Sequence, residues 1–193
     1  DAIVRVVAAC VCGSDLWPYR GITPTTEPHR IGHEFVGIVE ETGSAVANVC
    51  VGDFVIAPFY FCDNTCINCR NGVSTSCLNG GWWGSNDRNG NFVDAAQGEQ
   101  VRVPLADGTL VATPEVPDDA LIPHLLTLAD VMGTGHHDAV RARRAYNRSV
   151  RLHANGDRRQ VRGNRRGSAR ARPTCRAIEH VRIPAQSPAR TPA

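Results

Sequence analysis

The feature that limits this chain most is a run of cysteines too closely spaced to be ordinary core filler. Cys66, Cys69 and Cys77 follow one another as C-x2-C-x7-C, with Asp63 three residues before Cys66 and Cys62 just ahead of it. A loop with thiolates three residues apart can wrap a tetrahedral Zn2+. A closed site of that kind is structural, because it holds a loop with little core of its own. Gly72, Ser74, Thr75 and Ser76 supply a flexible polar connection. Even spacing favours Asp63 as the fourth ligand, and Cys62 stands as the alternative. Neighbouring residues of an extended chain point to opposite sides, so one of the two reaches the metal.

Eight cysteines could instead mean a secreted disulfide framework. The N-terminus, Asp1-Ala2-Ile3-Val4-Arg5, has no basic region followed by an apolar one, as a signal peptide would. Clustered cysteines in a chain without such a signal point to metal, and to a cytoplasmic protein. The chain lacks an initiator Met and opens directly into a strand-like run, so it reads as the interior of a longer protein. No apolar run approaches the roughly 20 residues needed to cross a bilayer, so no membrane partner is expected.

Residues 2–9 alternate as a strand with one buried face, and residues 34–42 give a second strand closed by Gly43. Val51-Gly52-Asp53 is a turn signal before the apolar run Phe54–Ala57, and residues 99–105 read as a further strand. The expected fold is therefore mainly β with short helices, as an antiparallel barrel or sandwich. Pro117-Asp118-Asp119 then opens a helical stretch. Leu121, Leu125 and Leu128 form its apolar stripe, and Gly133 is its expected stop.

Charge divides the chain. Residues 1–140 hold six Arg and 17 acids, residues 141–193 hold 15 Arg and two acids, and there is no Lys. The expected organisation is a folded domain over 1–139, with the cysteine lobe at 62–77, followed by an Arg-rich segment over 140–193. That segment has no stripe of either period, and low hydrophobicity with high charge predicts disorder.

Three further motifs carry candidate chemistry: Cys12-Gly13-Ser14-Asp15, Gly32-His33-Glu34, and Asp130 near the end of the helical stretch. Singly, each is ambiguous. A lone Cys is usually core, as expected of Cys10, and a His beside a Glu is usually a surface pair. In this order, with the cysteine lobe between the second and the third, they resemble the zinc alcohol dehydrogenases of the medium-chain dehydrogenase/reductase family. EFVGIVEETG, VGDFVIAP and DVMGTGHH extend the resemblance over residues 1–139.

The resemblance implies a GroES-like β-barrel domain and two zinc ions per chain. It implies Cys12, His33 and Asp130 as ligands of a catalytic zinc, with Glu34 beside the metal. Ser14 matches the hydroxyl that takes the alcohol proton, and Asp63, Cys66, Cys69 and Cys77 match a structural zinc site. Three protein ligands leave one open position, the mark of a catalytic site. The implied reaction oxidises an alcohol to an aldehyde or ketone, with hydride passed to NAD or NADP. The implied partners are a small-molecule alcohol or aldehyde and, for full-length relatives, further copies of the chain. One departure is Trp17, which stands where some relatives have a His of the proton path. Trp17, Trp82 and Trp83 line a substrate cleft or pack in the core.

The cofactor domain of that family opens with a strand, a G-x-G-x-x-G turn and a helix. No such match follows residue 139. Two readings account for the Arg-rich segment: frameshifted or truncated sequence, or a real basic tail. With Tyr146 its lone aromatic, base stacking on nucleic acid is not expected. The first functional expectation is a catalytic domain that binds zinc but is inactive alone. The alternative is a zinc-stabilised, non-catalytic binding module whose tail engages nucleic acid.

Overall fold

A computed structural model describes residues 1–24 and 27–154, with residues 145–154 defined by their backbone alone. The strand-forming runs become β1 (Ala2–Ala9), β2 (Phe35–Thr42), β3 (Phe54–Ala57), β4 (Tyr60–Phe61), β5 (Gly81–Trp82), β6 (Gln100–Val103) and β7 (Val111–Ala112). The helices are α1 (Leu16–Tyr19), α2 (Ile67–Arg70), α3 (Ala106–Thr109), α4 (Ile122–Leu126) and α5 (Val131–Ala154). A five-stranded antiparallel sheet runs β6-β1-β2-β3-β7, and β4 pairs with β5 in a separate ribbon. None of the described helices is long and apolar enough to cross a membrane.

The central strands are buried on both faces. Phe35 and Val39 of β2 and Val55 and Ala57 of β3 enter one core with Val4, Phe61, Trp83, Val93, Val101 and Val103. Their neighbours Val36, Phe54 and Ile56 point the other way, where Ala129, Ile122, Leu125 and Leu126 cover them. Strand period thus sorts one apolar run onto two cores, which is why all of Phe54–Ala57 is buried. Gly37 sits where β2 crosses β1 most closely. A Cβ there would collide with the Arg5 carbonyl oxygen and Val4. The β1–β2 register also shifts between Val6 and Ala8, so β1 carries an irregularity at this crossing.

The C-terminal half departs from expectation. The helical stretch does not run from Pro117 to Gly133. It forms α4 and a 3-10 turn over Thr127–Ala129, breaks at Asp130 (φ −146°, ψ −71°), and resumes as α5. Gly133 lies inside α5 and stops nothing. Residues 140–154, expected to be disordered, continue that helix; residues 155–193 lie outside the described residues. Ala and Arg are among the strongest helix formers, so this stretch can be helical without an apolar stripe. Its described side chains from Val131 to Arg144 are exposed, apart from a half-buried Val140.

These packing differences separate two glycines. Gly37→Ala should lower stability by about 1–3 kcal/mol, the cost of overpacking a close backbone crossing. Gly133→Ala meets open space within a helix and should be neutral or stabilising by up to about 1 kcal/mol. Urea unfolding of the two variants beside the parent checks both.

Candidate metal centres

Three separate chain segments deliver one cluster. Cys12 ends an extended stretch (φ −80°, ψ 158°) just before the 3-10 turn Gly13–Asp15. His33 and Glu34 immediately precede β2, and Asp130 occupies the break between the turn after α4 and the start of α5. One donor atom from each of Cys12, His33, Glu34 and Asp130 lies within 4.8 Å of the others. His33 Nε2 is 3.8 Å from Glu34 Oε1 and 3.9 Å from Asp130 Oδ2. The fold therefore brings together all four residues singled out around this cluster. Ser14 is half-buried on the turn that leaves Cys12.

Sequence reading assigned no role to Asp15, yet its carboxylate organises the cluster. It is 8% exposed. Its Oδ2 accepts the Cys12 backbone N–H at 2.8 Å and the Gln97 side-chain amide at 3.1 Å. Its Oδ1 faces His33 Nδ1 at 3.2 Å. A carboxylate at Nδ1 holds the proton there and leaves the Nε2 lone pair turned to the cluster, the usual support of a metal-binding imidazole. Thr134, one turn into α5, donates its hydroxyl to Asp130 Oδ1 at 3.3 Å and steadies the fourth group. Short-range sequence patterns carry no signal for either contact, beyond the adjacency of Asp15 to Cys12.

Glu34 tests whether the site fits a cation. It is 2% exposed, and its Oε1 is buried without a hydrogen-bond partner among the described residues. Burial, then the nearby Asp130 carboxylate, raises its pKa above the ordinary carboxylate value. A buried oxygen without a hydrogen-bond partner, facing a thiol, an imidazole and a second carboxylate, fits a divalent cation. Cys10 lies alongside, half-buried rather than in either apolar core. Its N–H donates to Glu34 O at 3.0 Å, and burial raises its thiol pKa. The tryptophans divide: Trp83 packs in the core against Phe35 and Phe61, whereas Trp17 and Trp82 are exposed. Trp82 leans on Phe59, whose N–H donates to Ala129 O beside Asp130.

The cysteine lobe forms the second cluster. Donor atoms of Asp63, Cys66, Cys69 and Cys77 lie within 4.8 Å of one another. Cys66 Sγ is 3.5 Å from Cys69 Sγ and 3.8 Å from Cys77 Sγ, and Cys77 Sγ is 3.3 Å from Asp63 Oδ1. The structure brings Asp63, not Cys62, into this group. The Cys62 thiol turns to the Gly108 carbonyl at 3.3 Å, and burial raises its pKa. Backbone N–H groups of Asp63 and Asn79 point at Cys77 Sγ and that of Leu78 at Cys66 Sγ, each at 3.4 Å. Amides aimed at sulfur favour thiolate, and those of Cys69 and Leu78 lower the Cys66 pKa to about 7. Burial pushes Cys69 the other way. The N–H groups of Cys66 and Thr65 hold Asp63 far below the usual carboxylate range. Three sulfurs and a carboxylate gathered this closely form a donor set that could hold a tetrahedral zinc.

The chain is similar to known proteins in sequence and in fold. Residues 1–115 match the alcohol dehydrogenase GroES-like domain. A zinc-type alcohol dehydrogenase B of Aspergillus flavus is 36% identical over 146 residues, covering 76% of this chain and 32% of that protein. A medium chain reductase/dehydrogenase of an Acremonium species is 43% identical over 141 residues, covering 72% of this chain and 45% of that protein. The chain therefore spans less than half the length of these curated relatives. Among solved structures, the alcohol dehydrogenase TADH of Thermus sp. ATN1 superposes with a TM-score of 0.52 at 40% identity, covering 58% of this chain and 32% of that one.

Protons compete with metal for the lobe. Cys66 is half ionised near pH 7, while Cys69 must lose its proton on metal binding. Zinc affinity of the lobe should therefore fall steadily as pH drops from 8 to 6, with protons released on loading. Competition against a chromophoric chelator across that range checks this; a flat profile would count against thiolate ligation.

Proposed function

This chain belongs to the alcohol dehydrogenase GroES-like domain family, and from that premise we propose that it is the catalytic domain of a zinc-dependent alcohol:NAD(P) oxidoreductase. In this reading Cys12, His33 and Asp130 hold the catalytic zinc, and Glu34 is a carboxylate within reach of the same metal. Asp63, Cys66, Cys69 and Cys77 hold a structural zinc. The observation that carries the reading is the buried, unpartnered Glu34 oxygen within a four-donor cluster.

A zinc bound by Cys12, His33 and Asp130 would supply Lewis-acid polarisation of an alcohol or carbonyl oxygen. The rest of the work falls to side chains. Cys12 as thiolate and Asp130 as carboxylate balance the charge of a divalent ion, which leaves the site close to neutral. Asp15 fixes the proton of His33 on Nδ1. Ser14, two residues from Cys12, offers its Oγ to the alcohol proton. From there the proton would leave without an imidazole at position 17, since the exposed Trp17 indole can donate its N–H but cannot accept a proton. Exposed Trp82, resting on Phe59, forms an apolar wall for a small organic alcohol or aldehyde.

The described residues hold no glycine-rich strand-to-helix turn fit for a pyrophosphate, so nicotinamide binding belongs to the whole enzyme. The 193-residue chain alone is accordingly expected to bind zinc and to oxidise little or no alcohol. Elemental analysis of the purified chain should give two zinc ions per chain. Cys12→Ser or Asp130→Ala should remove one, and Cys69→Ser the other. Retention of both ions in Cys12→Ser, or brisk NAD(P)-dependent alcohol oxidation by the chain alone, would sink the corresponding half of the reading.

A further inference from the structure

The two ligand-bearing segments, residues 10–15 and 31–34, meet where the β1–β2 ladder ends, and there the Cys10 N–H donates to Glu34 O at 3.0 Å. One residue from a third segment adds a further tie between them. The Gln97 N–H donates to Ile31 O at 3.0 Å, and the preceding Ala96 N–H donates to Gly32 O at 2.9 Å. The side chain then reaches the other segment. Gln97 Nε2 donates to Cys10 O at 3.3 Å and to Asp15 Oδ2 at 3.1 Å. Its stem lies flat over Gly32, where any Cβ would overlap it; Gly32 also sits at φ +102°, a conformation that favours glycine.

From these contacts we infer that Gln97 is a positioning residue for the catalytic metal site, acting through Asp15 on both Cys12 and His33. The inference rests on the zinc reading of the Cys12–His33–Asp130 cluster. Its physical content lies in how Asp15 is held. Oδ2 takes two donors, the Cys12 N–H and the Gln97 amide, which leaves Oδ1 alone to face His33. With the amide gone, a single backbone donor restrains the carboxylate against rotation about its terminal torsion, a broad and soft coordinate. His33 would then lose its fixed orientation, and the Cys12 backbone would share its partner with a moving group. Outer groups of this kind tune a metal through its ligands without touching it.

Gln97 suits the task because it donates. A carboxylate in its place would face the Asp15 carboxylate and repel it. Methionine keeps the length and apolar stem that cover Gly32 but offers no donor. Gln97→Met and Gln97→Glu therefore separate packing from hydrogen bonding.

The test is Co2+ titration of the metal-free 193-residue chain and both variants, followed by visible d–d bands, with Cys12→Ser identifying the bands of this site. Thermal unfolding and Co2+ uptake by the cysteine lobe are read in the same samples. The expected result is roughly tenfold weaker Co2+ binding at the Cys12 site in both variants. Its d–d bands should shift, while lobe uptake and unfolding temperature stay at parental values. Parental affinity and bands in either variant would overturn the inference. So would weakening shared equally by the lobe together with a lower unfolding temperature, since that marks a merely structural residue. If the parent shows no Cys12-dependent bands at all, the zinc reading of the cluster fails first and carries this inference with it.

Discussion

The rest of this structure hangs on the burial of β2 and β3 from both sides. One face of the pair builds the larger core around Phe35, Val55 and Phe61; the other is covered by Ile122, Leu125, Leu126 and Ala129. That second contact has a consequence for chemistry. His33 stands at the entrance to β2, and Asp130 directly follows the turn that ends in Ala129. Packing a helix onto the strands therefore carries a distant carboxylate to an imidazole nearly a hundred residues earlier in the chain. Apolar burial, at about 25 cal/mol per Å2, provides the favourable free energy that gathers groups which would otherwise repel.

Repulsion is the second half of that arrangement. Asp15, Glu34 and Asp130 surround one histidine, with Cys12 adjacent. Glu34 is raised above its ordinary range first by burial and then by Asp130. A folded domain can hold such a group neutral, or it can supply a cation. The backbone and amide donors at Asp15 are spent on that residue alone, and none reaches Glu34 Oε1. The cluster thus leaves a buried oxygen without a hydrogen-bond partner among the described residues, as the proposed cation would require. The lobe behaves differently. Each oxygen of Asp63 already takes donors: Oδ1 those of Thr65 and Cys66, Oδ2 that of Asn79 at 2.5 Å. Amides face two of its sulfurs, so the lobe is organised by its own backbone around negative charge.

What the sequence makes legible follows from the same physics. Residues 2–9, 34–42 and 54–57 are read as strands because alternation or a short apolar run reflects burial that the sheet then enforces. The cysteine lobe is legible because metal ligation demands particular atoms at particular spacings, whereas Cys12, His33, Glu34 and Asp130 lie too far apart in the chain for spacing to join them and are linked by the family resemblance alone. Asp15 and Gln97 escape because a single buried polar contact over 82 positions leaves no period behind. The choice between Asp63 and Cys62 was open because it depends on which side of an extended residue faces the lobe, a matter settled locally by the Gly108 carbonyl. The long α5 escapes for the opposite reason. A helix supported by Ala and Arg propensity, with exposed sides, has no apolar stripe to betray it.

The two clusters also differ in how they meet the body of the domain, and this bears on their separate roles. The lobe is pinned by close backbone contact: the Thr109 hydroxyl bridges the carbonyls of Cys62 and Pro104, and Gly108 lies so near Cys62 and Asp63 that no side chain fits. Its own apolar content is little more than Tyr60 against three cysteines. In the proposed reading a metal there would substitute for a core, and its loss would release a loop rather than an active group. The other cluster is placed differently. Its four members lie at the ends of elements, just before the 3-10 turn at Gly13, just before β2 and just before α5, and its donor set is mixed rather than rich in sulfur. Ligands placed by packing, not by the ion, can leave one coordination position unfilled. In the proposed reading, that would separate a site able to exchange small molecules from one that only holds a loop.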